Sequence, residues 1–165
     1  MSKTPATDAF PAPEHNHAPC FHLALERAQR AFKAKGSRLT DLRQQVFAEI
    51  AGSHDAIGAY DVLDRLARKG MRVAPISVYR AIDALLDAGV IHRLESRNAF
   101  FACHAGHAPD RSQLILSCER CRRVAEVPGE PVFSAIESAV NGARFRTRRT
   151  VAEVSGLCAD CQAKG

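Results

Sequence analysis

The sequence has no apolar run of the roughly eighteen residues that a membrane-crossing helix needs. Its opening residues, "MSKTPATDAFPAPEHNH", lack the apolar core of a secretion signal. Both absences lead to the expectation of a cytoplasmic protein with no membrane partner. No paired acidic motif, phosphate-cradling glycine loop or nucleophile elbow is present. These absences weigh against an enzyme with a small-molecule substrate. No internal repeat is visible. No half of the chain is a polycationic tail either. Residues 1–102 carry 14 Lys/Arg against 11 Asp/Glu, and residues 103–165 carry 9 against 7. The net charge of +5 and pI of about 9.1 are compatible with a nucleic-acid partner. Any such contact must come from placed residues rather than a charge run.

The 165 residues allow one ordinary domain or two small ones. Hydrophobic content of 46% and charged content of 25% are normal for a folded soluble chain. The six cysteines carry more information. In a reducing compartment, clustered thiols are metal ligands more often than disulfides. The stretch "FFACHAGHAPDRSQLILSCERC" packs three cysteines and two histidines into 22 residues. It holds parts of either one metal site or two.

Residues 1–19 hold four of the eight prolines and little apolar periodicity, which reads as a flexible arm. Residues 20–98 then show four helical segments. Phe21, Leu25, Ala28 and Phe32 form one apolar stripe. Thr40 is an N-cap for a second helix, with Val46, Phe47 and Ile50 inward. Val62, Leu63 and Leu66 line a third. Pro75 and Ser77 start a fourth, with Val78, Ile82, Leu85 and Leu86 on its apolar face and Gly89 at its end. The period then becomes strand-like in "VIHRLE" and "AFFAC" around a polar "SRN" turn. Helices followed by a hairpin predict a winged helix-turn-helix that reads the DNA major groove.

Residues 99–165 predict a hinge and a small α/β dimerisation domain, so the whole is α+β. Cys118-Glu-Arg-Cys121 and Cys158-Ala-Asp-Cys161 are two Cys-x-x-Cys pairs, 36 residues apart. Each pair sets two thiolates on one tight turn. Together they supply the tetrahedral sulfur set of a closed structural zinc site, although iron can take the same four sulfurs. A redox reading is disfavoured by the second pair and by the lack of a thioredoxin-like βαβ pattern. A unit this small gains from both a metal and a dimer interface.

Cys103 has no place in a closed four-sulfur site. Around it lie His92 on the hairpin, His104 and His107 in the following loop, and Glu126 on the strand after the first Cys pair. Cys, His and carboxylate form a mixed tetrahedral site. A metal held by all three types would link two domains, which suits a sensor.

At these residues the sequence resembles the ferric uptake regulator family, and within it the zinc uptake regulator branch. The resemblance rests on "RLTDLR", "AYDVLDRL", "ISVYRAIDALLDAGVIHRLES", "CERC" followed by "VAEV", and "GLCADC". These cover most of residues 37–161 in the family's order. The resemblance implies a dimeric, zinc-activated repressor that binds double-stranded operator DNA upstream of zinc-uptake genes. It implies at least two zinc ions per chain. Cys118, Cys121, Cys158 and Cys161 match structural ligands. His92, Cys103 and Glu126 match sensor ligands. Tyr79 and Arg80 match base-approaching residues of the recognition helix, and Tyr60 matches a residue near the DNA backbone.

One departure is visible. Relatives often carry a sensor histidine just before the strand that leads into the first Cys pair. Here "PDRSQ" stands there, with Arg111 and no histidine. His107 is preferred as the fourth ligand. The alternative, His104, directly follows Cys103 and faces away from the metal if the chain is still extended. Iron- or manganese-responsive and peroxide- or thiol-responsive regulators are the alternatives within the family. The Cys103 thiolate favours zinc over harder metals. Arg43, Arg65, Lys69, Arg93 and Arg97 are candidate phosphate contacts, which set affinity rather than sequence. His15, His17, Cys20 and His22 leave two readings open, an accessory zinc site or scattered residues on an arm.

Overall fold

A computed structural model describes residues 9–10, 16–103 and 113–164. The chain forms two compact units. One is Asn16–Pro109; the other is Asp110–Gly165 together with Met1–His15. Among the described residues, no helix is long and apolar enough to cross a membrane.

The first unit contains α1 (Ala18–Ala34), α2 (Asp41–Ala51), α3 (Ala59–Arg68), α4 (Pro75–Asp87) and a hairpin of β1 (Ile91–Leu94) and β2 (Ala99–Ala102). Local chemistry sets the helix starts. The Thr40 side chain accepts the Arg43 N–H at the head of α2. The Asp61 carboxylate accepts the Gly58 N–H at the head of α3. Pro75 opens α4, where a missing N–H costs nothing. Gly89 follows α4 at φ +70°, a conformation that a side chain would strain.

Each helix buries one stripe. Phe47, Ile50, Leu66, Ile82, Leu85 and Ile91 are all less than 2% exposed. They pack into one apolar core with Phe32, Val46, Val62 and Val78. Buried Glu49 on α2 pairs with Lys69 at the end of α3, so this carboxylate is not left without a counter-charge.

The hairpin pairs Ile91 with Ala102 and Leu94 with Ala99 in antiparallel register. The "SRN" turn forms a 3-10 turn at Glu95–Arg97, followed by Asn98 at φ +45°. Ile57 and Phe100 exchange N–H···O bonds of 2.8 Å, which fastens the wing to the segment leading into α3. The compact unit thus runs past residue 98. Ala99–Ala102 are buried wing strand rather than the start of the next unit. At the other end, α1 begins at Ala18, two residues before the boundary drawn from the sequence.

The second unit holds β3 (Gln113–Cys118), β4 (Val124–Pro128), α5 (Glu130–Gly142), β5 (Ala152–Gly156) and α6 (Ala159–Ala163). Its sheet order is β4-β3-β5. β3 and β4 are antiparallel across the Cys118–Cys121 turn, whereas β3 and β5 are parallel. β4 returns the chain to the end where β3 begins, and the segment containing α5 leads from there to the start of β5. The register sets Cys118 opposite Gly156, two residues before Cys158. Both Cys pairs therefore arrive at the same end of the sheet.

Candidate metal centres and nucleic-acid surface

The four sulfurs of Cys118, Cys121, Cys158 and Cys161 lie within 4.8 Å of one another. Cys118, Cys158 and Cys161 are buried. The Cys121 and Cys158 sulfurs are 3.7 Å apart. Sulfurs placed tetrahedrally about 2.3 Å from a zinc ion are about 3.7–3.8 Å apart. The donor set and the spacing fit a four-sulfur metal.

Two local turns build this cluster. The Arg122 N–H donates to the Cys118 carbonyl at 3.0 Å, and the Cys118 N–H donates to the Arg123 carbonyl at 3.0 Å. Cys158 caps α6, where the N–H groups of Cys161 and Gln162 donate to its carbonyl, each at 3.0 Å. Phe10 packs against the cluster and covers it on an apolar side.

The thiols divide in acidity. Burial pushes Cys118 up, but hydrogen bonds from the Cys121, Cys158 and Arg120 backbone and from the Cys121 side chain together outweigh it and bring it down to about 6. Burial and the neighbouring sulfurs push Cys161 up to about 12. Crowded thiols of one sign share protons in this way, and a divalent ion replaces them.

Arg123 is the residue that sequence reasoning missed here. Its Nε donates to Cys121 Sγ at 3.3 Å and its Nη2 to Cys158 Sγ at 3.5 Å. The same guanidinium forms a 2.6 Å ion pair with Asp160. Burial would lower its pKa, but Asp160 and the Cys121 sulfur hold it above its ordinary value. A cation donating to two ligand sulfurs offsets the charge of a four-thiolate site. Arg120 adds a 2.7 Å bond to the Cys161 carbonyl and ties the two turns together.

In the first unit, α3 and α4 present Tyr60, Ile76 and Tyr79 outward, at 72%, 58% and 39% exposure. The Tyr60 and Tyr79 rings meet edge to face, 6.5 Å apart. Arg80 and Arg65 are exposed beside them on the same helices.

The other cations predicted to meet phosphate already have protein partners. Arg43 donates to the Arg38 carbonyl at 2.7 Å and to Ser37 Oγ at 3.3 Å, with its guanidinium 5.4 Å from the Phe32 ring centre. Arg93 bonds Asn98 at 2.7 Å and pairs with Glu95 at 3.3 Å. Lys69 pairs with Glu49. Arg97 lies in the 3-10 turn at the wing tip.

His92 lies on β1 opposite Phe101, and Cys103 directly follows β2. Their ligand atoms are within 4.8 Å of each other. The Cys103 N–H donates to the Val90 carbonyl at 3.2 Å, and its carbonyl accepts from Arg27 at 3.3 Å. Glu126 lies on β4 of the second unit, opposite Ile115. His104 and His107 lie outside the described residues, as do His15 and Arg111.

A winged helix and a four-sulfur metal unit in one chain define a DNA-binding metalloregulator. The model of the ferric uptake regulator family matches residues 34–153, and the chain belongs to that family. It is a metal-responsive transcriptional regulator and not an enzyme. It is 34% identical over 137 residues to the zinc uptake regulation protein of Escherichia coli (strain K12), a match that covers 83% of this chain and 80% of that protein. Among solved structures, a zinc uptake regulator complexed with zinc and DNA matches at TM-score 0.81 and 33% identity, over 87% of this chain and 96% of the other. Holo XcZur matches at TM-score 0.75 and 36% identity, over 87% and 99%.

Proposed function

We propose that the protein is a zinc-responsive repressor of zinc-uptake genes, acting in the cytoplasm as a homodimer on operator DNA. The observation that carries this reading is Cys103 beside His92 at the base of the wing, with ligand atoms within 4.8 Å. A thiolate at a regulatory site favours zinc over iron or manganese, which harder donors suit better. Glu126 and His107 complete the proposed sensor set, with His104 as the alternative to His107. Cys118, Cys121, Cys158 and Cys161 hold a second zinc ion permanently. The similarity to zinc uptake regulators supports the same reading.

The switch is an equilibrium between arrangements of the winged units. Sensor zinc favours the arrangement that fits two operator half-sites. Zinc and DNA then each tighten the binding of the other. The usual range of coupling, about 1–3 kcal/mol, corresponds to roughly 5–150-fold tighter DNA binding. α4 enters the major groove. Arg80 reads a base, and Tyr79 packs against a thymine methyl. Loss of an arginine–guanine pair costs about 1–3 kcal/mol of discrimination, so Arg80→Ala lowers specificity. Tyr60, Arg43, Arg65, Lys69, Arg93 and Arg97 contribute to backbone contacts. α5 buries none of its residues within its own unit, although Val132, Phe133, Ile136 and Val140 are apolar. A second copy of the chain is the natural cover for them.

The test is binding to promoter DNA of zinc-uptake genes at buffered free zinc, under reducing conditions and with the four-sulfur site filled. Affinity should rise as the sensor fills. Affinity independent of zinc would overturn the reading, and a response to iron or manganese instead would assign the protein to another branch. His107→Ala should abolish the response while His104→Ala retains it; the reverse would exchange the two ligands.

A further inference from the structure

We propose a third metal site, wholly within the winged unit, formed by His17, Cys20 and His54. It goes beyond the sensor and structural sites and uses none of their ligands. The ligand atoms of the three residues lie within 4.8 Å of one another. His17 and Cys20 stand one helical turn apart at the head of α1, and His54 follows the end of α2.

The spacing of the two histidines is close to that of a metal pair. His17 Nε2 is 2.7 Å from the Ala51 carbonyl oxygen. A carbonyl only accepts, so Nε2 carries the proton, and Nδ1 of the neutral ring is left with its lone pair. Nδ1 faces His54 Nε2 at 3.2 Å, and the rings meet nearly perpendicular, at 80°. Nitrogens placed tetrahedrally on zinc at about 2.0–2.1 Å lie about 3.3–3.4 Å apart. Without metal, the His54 Nε2 proton bridges the two nitrogens. A cation takes that proton's place, and the proton leaves to solvent. The His17–Ala51 bond is the outer contact that fixes the ring and tautomer of a ligating histidine.

Two imidazoles and one thiolate select a borderline or soft ion, with zinc the fitting divalent metal. Among the described residues the site has three protein ligands, and a site with three keeps a fourth position for exchange rather than being closed. Metal there fastens α1 to the segment after α2. That segment continues to Ile57, which bonds the wing at Phe100, and to Gly58, which starts α3. The ion thus braces the segment that holds the wing and starts α3.

The experiment uses the full-length protein with zinc retained in the four-sulfur site. Cobalt(II) is added to the Cys103→Ser variant, so that the proposed sensor offers no thiolate. A sulfur-to-cobalt charge-transfer band is expected, because Cys20 remains. It should vanish in Cys103→Ser/Cys20→Ser. Zinc content measured on the wild-type background should fall by one equivalent per chain in Cys20→Ser and in His17→Ala/His54→Ala. It should be unchanged in His22→Ala, which alters an exposed residue of the same helix. With zinc kept in the four-sulfur site and the exchangeable metal removed, thermal melts of the Cys20→Ser and wild-type proteins should coincide, since the lost contribution is the metal's. No band in Cys103→Ser, or equal zinc content in wild type and the His17/His54 double variant, would overturn the proposal. Neither result depends on whether Cys103 senses zinc.

Discussion

The two units of this chain hold themselves together by different physics. The winged unit closes an apolar core in which Phe47, Ile50, Leu66 and Leu85 are fully buried. The second unit has a three-stranded sheet, a helix with no buried residue, and a small buried cluster of Cys118, Cys158 and Cys161. Hydrophobic burial suffices for the first. In the second, four sulfurs converge where a core would otherwise be needed. Small units that cannot bury enough surface depend on metals in this way. The comparison also explains the division of labour. Under the proposed function, a rigid apolar scaffold presents helices to DNA, while the metal-holding unit brings two copies together.

The largest effect should follow removal of a structural ligand. Structural zinc contributes an apparent folding free energy of about 10–16 kcal/mol in small zinc peptides. Cys118→Ser should therefore lose amide-exchange protection across β3, β4 and β5 while α2 and α4 keep theirs. Equal loss in both units would break the contrast. Next comes Ile82→Ala, where a buried Ile-to-Ala change costs about 2–5 kcal/mol. It should lower the stability of the winged unit in denaturant and leave zinc retention untouched.

A smaller effect is expected of Arg123→Ala. Removing a group that supports metal ligands typically weakens affinity by about 10–100-fold. Zinc should pass faster to a competing chelator, with little change in the metal-loaded fold. An unchanged transfer rate would reduce Arg123 to its ion pair with Asp160. The smallest effect is that of Thr40→Ala, about 1 kcal/mol for a lost N-cap, read as a lower unfolding midpoint of the winged unit.

Much of this was legible in the residues. Helical spacing marked α1 to α4, and Thr40 marked the start of α2. The change to strand period after Gly89 marked the wing. Two Cys-x-x-Cys pairs announced the four-sulfur site because each chelating turn is local. Other features carried no such signal. Arg122 and Arg123 are adjacent and alike in sequence. Only the backbone, with Arg122 at φ +65°, decides that Arg123 is the one that turns toward the sulfurs. His54 is 37 residues from His17. No spacing rule joins them, and the sequence grouped His17 with its neighbours on the arm instead.

The sequence by itself determined the elements, their caps and the chelating turns, because hydrophobic period and short-range hydrogen bonding act within a few residues. The tertiary structure decided which distant groups meet. Parallel pairing of β3 with β5 set one Cys pair against the other. Packing of α1 on α2 set His17 against Ala51 and His54. Those meetings depend on register and on the fit of buried side chains, which are properties of the assembled core and not of any one segment.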